Sequence, residues 1–243
     1  MHFIEVINNM FTVGLPLVGL TGTLNAIVSL YIASRLYGTY KANKQQSHKS
    51  FLFFFLYFGI FYTLFATTQL VLWRDSGVLI GISHVISYFF LYLSLGYLIS
   101  VPYHVKGQHE LAQAAWLTLF VINLLFFVIR IIDFTPSQQI ALSSYVYWQP
   151  VFAEWVRIAT GVLAVITAIN VTTFFCRYGM QNKHQPIVFK RSIWIGVGIG
   201  VLMLAAILAF IAAPSGSAPF VFVATFLVLA GLLTTHHGLR YRV

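Results

Sequence analysis

The sequence predicts an all-α polytopic membrane protein: a seven-transmembrane-helix bundle with the N-terminus outside and the C-terminus inside. Three observations carry this. Of 243 residues, 59% are hydrophobic and only 8% charged, whereas soluble domains carry about 25% charged residues. Such a chain could not cover a water-facing surface. Apolar segments approach, one after another, the roughly 20 residues a helix needs to cross the hydrocarbon core. The basic residues, finally, gather in alternate connections, as the positive-inside rule requires of cytoplasmic loops.

Seven spans follow in a single domain over residues 1–243, at approximately 11–35, 51–73, 78–102, 111–132, 150–175, 193–213 and 219–238. Only helices satisfy their own backbone inside lipid at these lengths. Breakers fall at the boundaries: Asp75-Ser76-Gly77, Pro102, Pro136, Pro150, Pro186 and the run at 214–219. Pro16 lies inside the first span and predicts a kink or loosened turn there. The N-terminal stretch lacks a basic segment, so the first helix is expected to remain as an anchor. Every connection is shorter than about 20 residues, so soluble catalysis or a signalling output would have to come from a partner chain.

Orientation follows from Arg35, Lys41, Lys44, Lys49, Lys106, Arg177, Lys183, Lys190, Arg191, Arg240 and Arg242, eleven of the fourteen basic residues. All fall on one side, which is therefore cytoplasmic. Four of the five acids, Glu5, Asp75, Asp133 and Glu154, fall on the other. The formal charge of +9 thus reads as topology and not as nucleic-acid binding. The expected surroundings are the lipid bilayer of a bacterial or archaeal inner membrane, with a cytoplasmic or membrane protein as partner. Cys176 is the single cysteine, which excludes an internal disulfide and CxxC chemistry.

Small residues mark where helices approach closely: Gly14, Gly19 and Gly22, then Gly161, Ala164 and Ala168, then Gly196 and Gly200. The last two form a GxxxG, read as packing within the bundle ahead of a dimer face. Connections alternate long and short in helices 1–3 and again in 5–7, a 3+1+3 arrangement without a sequence match between the halves.

The candidate ligand site lies on the outer side. Trp116, Asn123, Arg130 and Asp133 form one stripe on helix four. Glu154 and Arg157 open helix five as an i,i+3 pair, with Arg157 roughly 10 Å inside the expected helix start. His84 enters at a similar depth on helix three, flanked by Ser87 and Tyr88. Ionisable residues within spans are costly and default to functional hypotheses. Competing readings are plain: Arg130 could snorkel to headgroups, and Glu154–Arg157 could be a structural pair. The connection at 133–149 adds Tyr145, Tyr147 and Trp148, followed by Trp155, as an aromatic belt or a lid.

On the inner side stand His48, His104, His109, His184, His236 and His237. His104 and His236 are the pair at helix ends that could ligate haem; loop solvation or headgroup contact is the favoured reading, and no cofactor is predicted. The last span lacks the lysine a retinal pigment needs, and no GxSG, HExxH or PQ motif occurs. No residue set argues for catalysis. The leading expectation is a heptahelical sensor binding a small ligand or lipid headgroup at His84, Arg130, Asp133, Glu154, Arg157 and Trp148, and relaying to a partner at the basic face. The alternatives are a small transporter or channel lined by Asn25, Thr68, Gln69 and Asn123, and a haem- or quinone-binding redox subunit.

Overall fold

The structure, a computed structural model, describes residues 16–72, 77–142, 145–212 and 218–240. The described residues are almost wholly helical, and among them seven helices are long and apolar enough to cross a membrane. They are α1 (Leu17–Asn43), α2 (Gln46–Val71), α3 (Gly77–Val105), α4 (His109–Ile132), α5 (Glu154–Gln181), α6 (Pro186–Ala212) and α7 (Ala218–Arg240). Gly14, Glu5, Asp75 and Arg242 lie outside the described residues.

The helices overrun the expected spans at the basic end: α1 continues to Asn43, α2 already begins at Gln46, α5 runs to Gln181 and α6 starts at Pro186. Counting apolar residues marks only the stretch that crosses hydrocarbon. The flanking Tyr, Lys and Gln residues are adequate helix formers and continue the hydrogen-bond ladder beyond it. Pro186 occupies the first turn of α6, where its missing N–H costs nothing. One proline expectation is corrected. Pro102 lies inside α3 without ending it; the helix runs one more turn, and Pro102 still accepts from the Lys106 amide at 3.1 Å. Pro16 precedes Leu17 at the start of α1 and accepts from the Leu20 amide at 3.0 Å; the expected bend there involves residues 11–15, which lie outside the described residues.

Consecutive helices pack pairwise within α1–α3 and within α5–α7. α1 against α7 and α3 against α5 close the two groups into a six-helix ring. α4 stands outside this ring and packs chiefly on α3, so Leu117, Val121, Leu125 and Val128 point away from the protein. Polar residues staple neighbouring helices. Asn25 Nδ2 donates to the Thr225 carbonyl (3.0 Å), Asn123 Nδ2 to the Phe89 carbonyl (3.0 Å), and the Thr68 and Ser83 hydroxyls meet at 2.8 Å. Interhelical bonds of this kind contribute on the order of 0.6–2 kcal/mol each within a membrane.

The second helix of each group departs from α geometry near the same end of the bundle. π-Turns occupy Thr63–Thr67 in α2 and Ile207–Ala212 in α6. Such turns appear mostly as single insertions, frequently at functional sites. Between α4 and α5 the expected loop is a β-hairpin, with β1 (Gln138–Leu142) antiparallel to β2 (Tyr145–Gln149). Its alternation decides two burials. Val146 and Trp148 pack with Ile80, while Tyr147 on the opposite face turns into the ring. Both aromatics are inside the protein, so an interfacial belt does not describe them; Trp155, half exposed, fits that role.

Gly107 closes the α3–α4 turn at φ +74°, a region that costs other L-residues energy. Gly107→Ala is expected to lower thermal stability by about 1 kcal/mol, measured by unfolding in lipid nanodiscs.

Candidate functional site

Between the helices of the ring lies an apolar chamber of about 110 Å³. From Tyr88 to Leu98, both on its wall, α3 advances about 15 Å. Phe54 and Leu98 lie toward the basic end; Tyr62, Phe65, Phe210 and Tyr147 close the hairpin end. Both π-turns contribute, through Phe65 and through Ala209 and Phe210. Ala164, Ala168 and Ala205 leave the space that larger residues would fill.

Behind Tyr88 sits Arg130, only 3% exposed. Its guanidinium carbon is 4.7 Å from the Tyr88 ring centroid, 5.0 Å from Phe152, 5.4 Å from Tyr92 and 5.8 Å from Phe126. Its Nη2 donates to Thr160 Oγ1 at 2.9 Å. Thr160 gives its own proton to the Val156 carbonyl (2.7 Å) and is 2.8 Å from the Tyr92 hydroxyl, which therefore donates to it. Arg130 Nε is buried and unpartnered, and among the described residues no carboxylate reaches this cation. Four π-faces offset part of its desolvation, each on the order of 1 kcal/mol. What is missing is an anion or strong acceptor.

The expected cluster separates into three parts. His84 is fully buried on α3. Its Nε2 lies 3.3 Å from Gln69 Nε2 and its Nδ1 2.8 Å from Ser137 Oγ. The Gln69 amide can only donate, so Nε2 accepts and Nδ1–H donates to Ser137. His84 therefore ties α2, α3 and the approach to the hairpin together, and both ring nitrogens are used. His84→Ala is expected to leave Gln69 and Ser137 without this partner and to cost about 2–4 kcal/mol in thermal unfolding, while His84→Gln recovers part of it.

Arg130 is the second part. It does not snorkel, because Phe152 and α5 cover it. Arg157 and Glu154 are the third, 3.4 Å apart, with the Glu154 side chain 77% exposed and that of Arg157 17%. α5 begins at Glu154, four residues later than expected, so Arg157 lies in its first turn and not 10 Å deep. Its charge still reaches the Tyr88 phenol, as does that of Arg130. Asp133 follows the end of α4, exposed and off the stripe that carries Trp116, Asn123 and Arg130. Trp148 is packed under the hairpin against Ile80. His104 and His236 are not brought together: His104 meets His109, and His236 packs edge-on against Tyr31.

Sequence reasoning missed Tyr92, Phe152 and Thr160. Tyr88 and Tyr92 at i,i+4 on one face of α3 were a usable signal. Thr160 is one turn from Ala164 on the small-residue face of α5.

Among the described residues, seven helices are long and apolar enough to cross a membrane, the pattern of a multi-pass membrane protein. No family model, curated protein or solved structure matches the chain.

Proposed function

We propose that this chain is a heptahelical membrane sensor, N-out and C-in, in the inner membrane of a bacterium or archaeon. It takes a small amphipathic ligand into the chamber beneath the hairpin and relays occupancy to a partner protein at the basic, cytoplasmic end. The observation that carries this reading is the juxtaposition of an apolar chamber with a buried cation that no carboxylate among the described residues reaches, separated by one tyrosine ring. The eleven basic residues at one end support the orientation.

The physics of the lipid phase says which part of a ligand matters. An apolar molecule already dissolved in the bilayer gains little by entering an apolar chamber, because lipid tails are as apolar as leucine. Discrimination must therefore come from the polar end at Arg130 and Tyr88. A medium-length aliphatic chain bearing a carboxylate has that composition. Binding would press on Phe65 and Phe210, which stand on the π-turns, and so move the two helices whose hydrogen bonding is already loosened. A solute pathway would instead want polar walls, and the side-chain amide nitrogens of Asn25, Gln69 and Asn123 are engaged in helix–helix bonds.

The test is thermal unfolding in nanodiscs with decanoate and decanol as probes, using wild type and Ala205→Leu. Ala205 is buried on the chamber wall, so leucine occupies the ligand's volume. The expected result is stabilisation of the wild type by decanoate more than by decanol. Ala205→Leu should unfold at a higher temperature without ligand and respond to neither probe. An undiminished decanoate response in Ala205→Leu rejects the chamber as the site.

A further inference from the structure

At the opposite end of the bundle a second cavity, about 390 Å³, opens between α2 and α4. These two helices flank α3 without packing on each other, so α3 forms the floor of a cleft. The mouth carries Gln46 and Lys49 from the first turns of α2, His104 from the last turn of α3, and His109 and Gln113 from the start of α4. No carboxylate lines it. Further in, Trp116 stacks on Phe120 (5.1 Å) and packs on Tyr97 (5.9 Å), making an aromatic wall along the cleft.

The two histidines hold each other in a defined way. Their Nδ1 atoms are 3.2 Å apart, so one ring donates through Nδ1–H and the other accepts. A neutral pair therefore presents one Nε2–H and one Nε2 lone pair. The charged groups that face His104 are Lys49 from α2 and His109 from α4. The mouth therefore offers an ammonium and an imidazole N–H. An anion with several acceptor oxygens matches that set, and a metal cation does not, with Lys49 beside the rings.

We propose that this cleft binds a phosphate group, with the His104–His109 pair and Lys49 as its donors and the Gln46 and Gln113 amides at its rim. Two sources present the same group: the headgroup of an anionic lipid with its chain along the Trp116 wall, or a soluble phosphate compound. The site is remote from the chamber and does not depend on the sensor reading.

The experiment compares wild-type protein in phosphatidylcholine nanodiscs, in the same nanodiscs containing phosphatidic acid, and in phosphatidylcholine with added inorganic phosphate. Thermal unfolding and native mass spectrometry are read for each. Lys49→Gln/His109→Gln and, separately, Gln113→Glu are measured alongside. The second variant adds a carboxylate at an exposed rim position and keeps the fold if the first does not. Phosphatidic acid is expected to stabilise the wild type and to be retained as one bound lipid. Either variant should bind it roughly tenfold more weakly, the scale of one lost charge-assisted bond. Stabilisation by inorganic phosphate alone, also lost in the variants, supports the site with the soluble source. Equal stabilisation of wild type and both variants, or none of the wild type by either probe, overturns the proposal.

Discussion

Arg130→Met is expected to leave the ligand-free protein as stable as the wild type or more so, and to remove its preference for decanoate over decanol. The expectation follows from what Arg130 lacks. A buried cation with a carboxylate is costly to break, because removal strands the partner charge by about 3–5 kcal/mol. Among the described residues no carboxylate is stranded: Glu154 is paired with Arg157 and exposed. The hydrogen-bond loss is confined to Thr160 Oγ1, which keeps the Tyr92 hydroxyl as a donor. Methionine approximates the volume of the arginine stem and its thioether is attracted to aromatic edges, so the cage of Tyr88, Tyr92, Phe126 and Phe152 stays filled. Against this stand four cation–π contacts and one charge-assisted bond, which roughly balance the desolvation of a guanidinium flanked by hydrocarbon. Arg130→Lys should be the less stable of the two, since a point charge cannot lie flat on the rings while reaching Thr160. Thermal unfolding and decanoate titration in nanodiscs check both. A loss above about 3 kcal/mol in Arg130→Met would mean that the guanidinium is a structural strut, and the proposal of an anion beside the chamber would fall with it.

The seven helices were legible because hydrocarbon thickness imposes one length on each of them, and the loop charges announced the end at which basic residues gather. Depth was legible only where a helix began on schedule. Arg157 was placed too deep because the chain after Pro150 stays extended to Ala153 before turning helical, a local choice that apolar counting cannot see. The stripe Trp116–Asn123–Arg130 kept its face against α3, since a seven-residue spacing nearly repeats on any helix. Asp133 left the stripe because α4 ends at Ile132. The chamber itself was hidden. Its walls are phenylalanines, leucines and alanines that read as ordinary core, and its volume is a difference between packed and unpacked space that only the ring closure of α1 with α7 and α3 with α5 determines. The hairpin was hidden for a related reason, since Tyr145-Val146-Tyr147-Trp148 is apolar on both faces and shows no alternation although each face packs on a different neighbour.

Gly198→Ala is expected to destabilise the bundle by about 2–3 kcal/mol, with Gly198→Val failing to accumulate as folded protein, whereas Gly200→Ala is expected to be neutral or stabilising by up to about 1 kcal/mol. The GxxxG reading singled out Gly196 and Gly200, but the close crossing runs through the residue between them. A Cβ on Gly198 would collide with the Thr235 hydroxyl, sit 2.6 Å from the Thr235 amide nitrogen and lie 2.8 Å from the Gly231 carbonyl oxygen. Gly231, for its part, faces the Gly198 carbonyl at 2.9 Å from its own virtual Cβ. Two of the three obstacles are backbone, so no rotamer change relieves them and α6 must move away from α7. At Gly200 the nearest atom is a Thr172 methyl at 3.7 Å, an ordinary contact, and alanine simply restores helix propensity. The consequence reaches the chamber. α6 and α7 supply Leu202, Ala205, Phe210, Val221 and Val228 to its wall, so widening their crossing should enlarge it and weaken decanoate binding before the fold is lost. Comparing Gly198→Ala with Gly200→Ala in one nanodisc preparation, by thermal unfolding and decanoate titration, separates this from a general effect of adding a methyl group to α6. Equal behaviour of the two variants would show that the α6–α7 contact does not set the chamber's width.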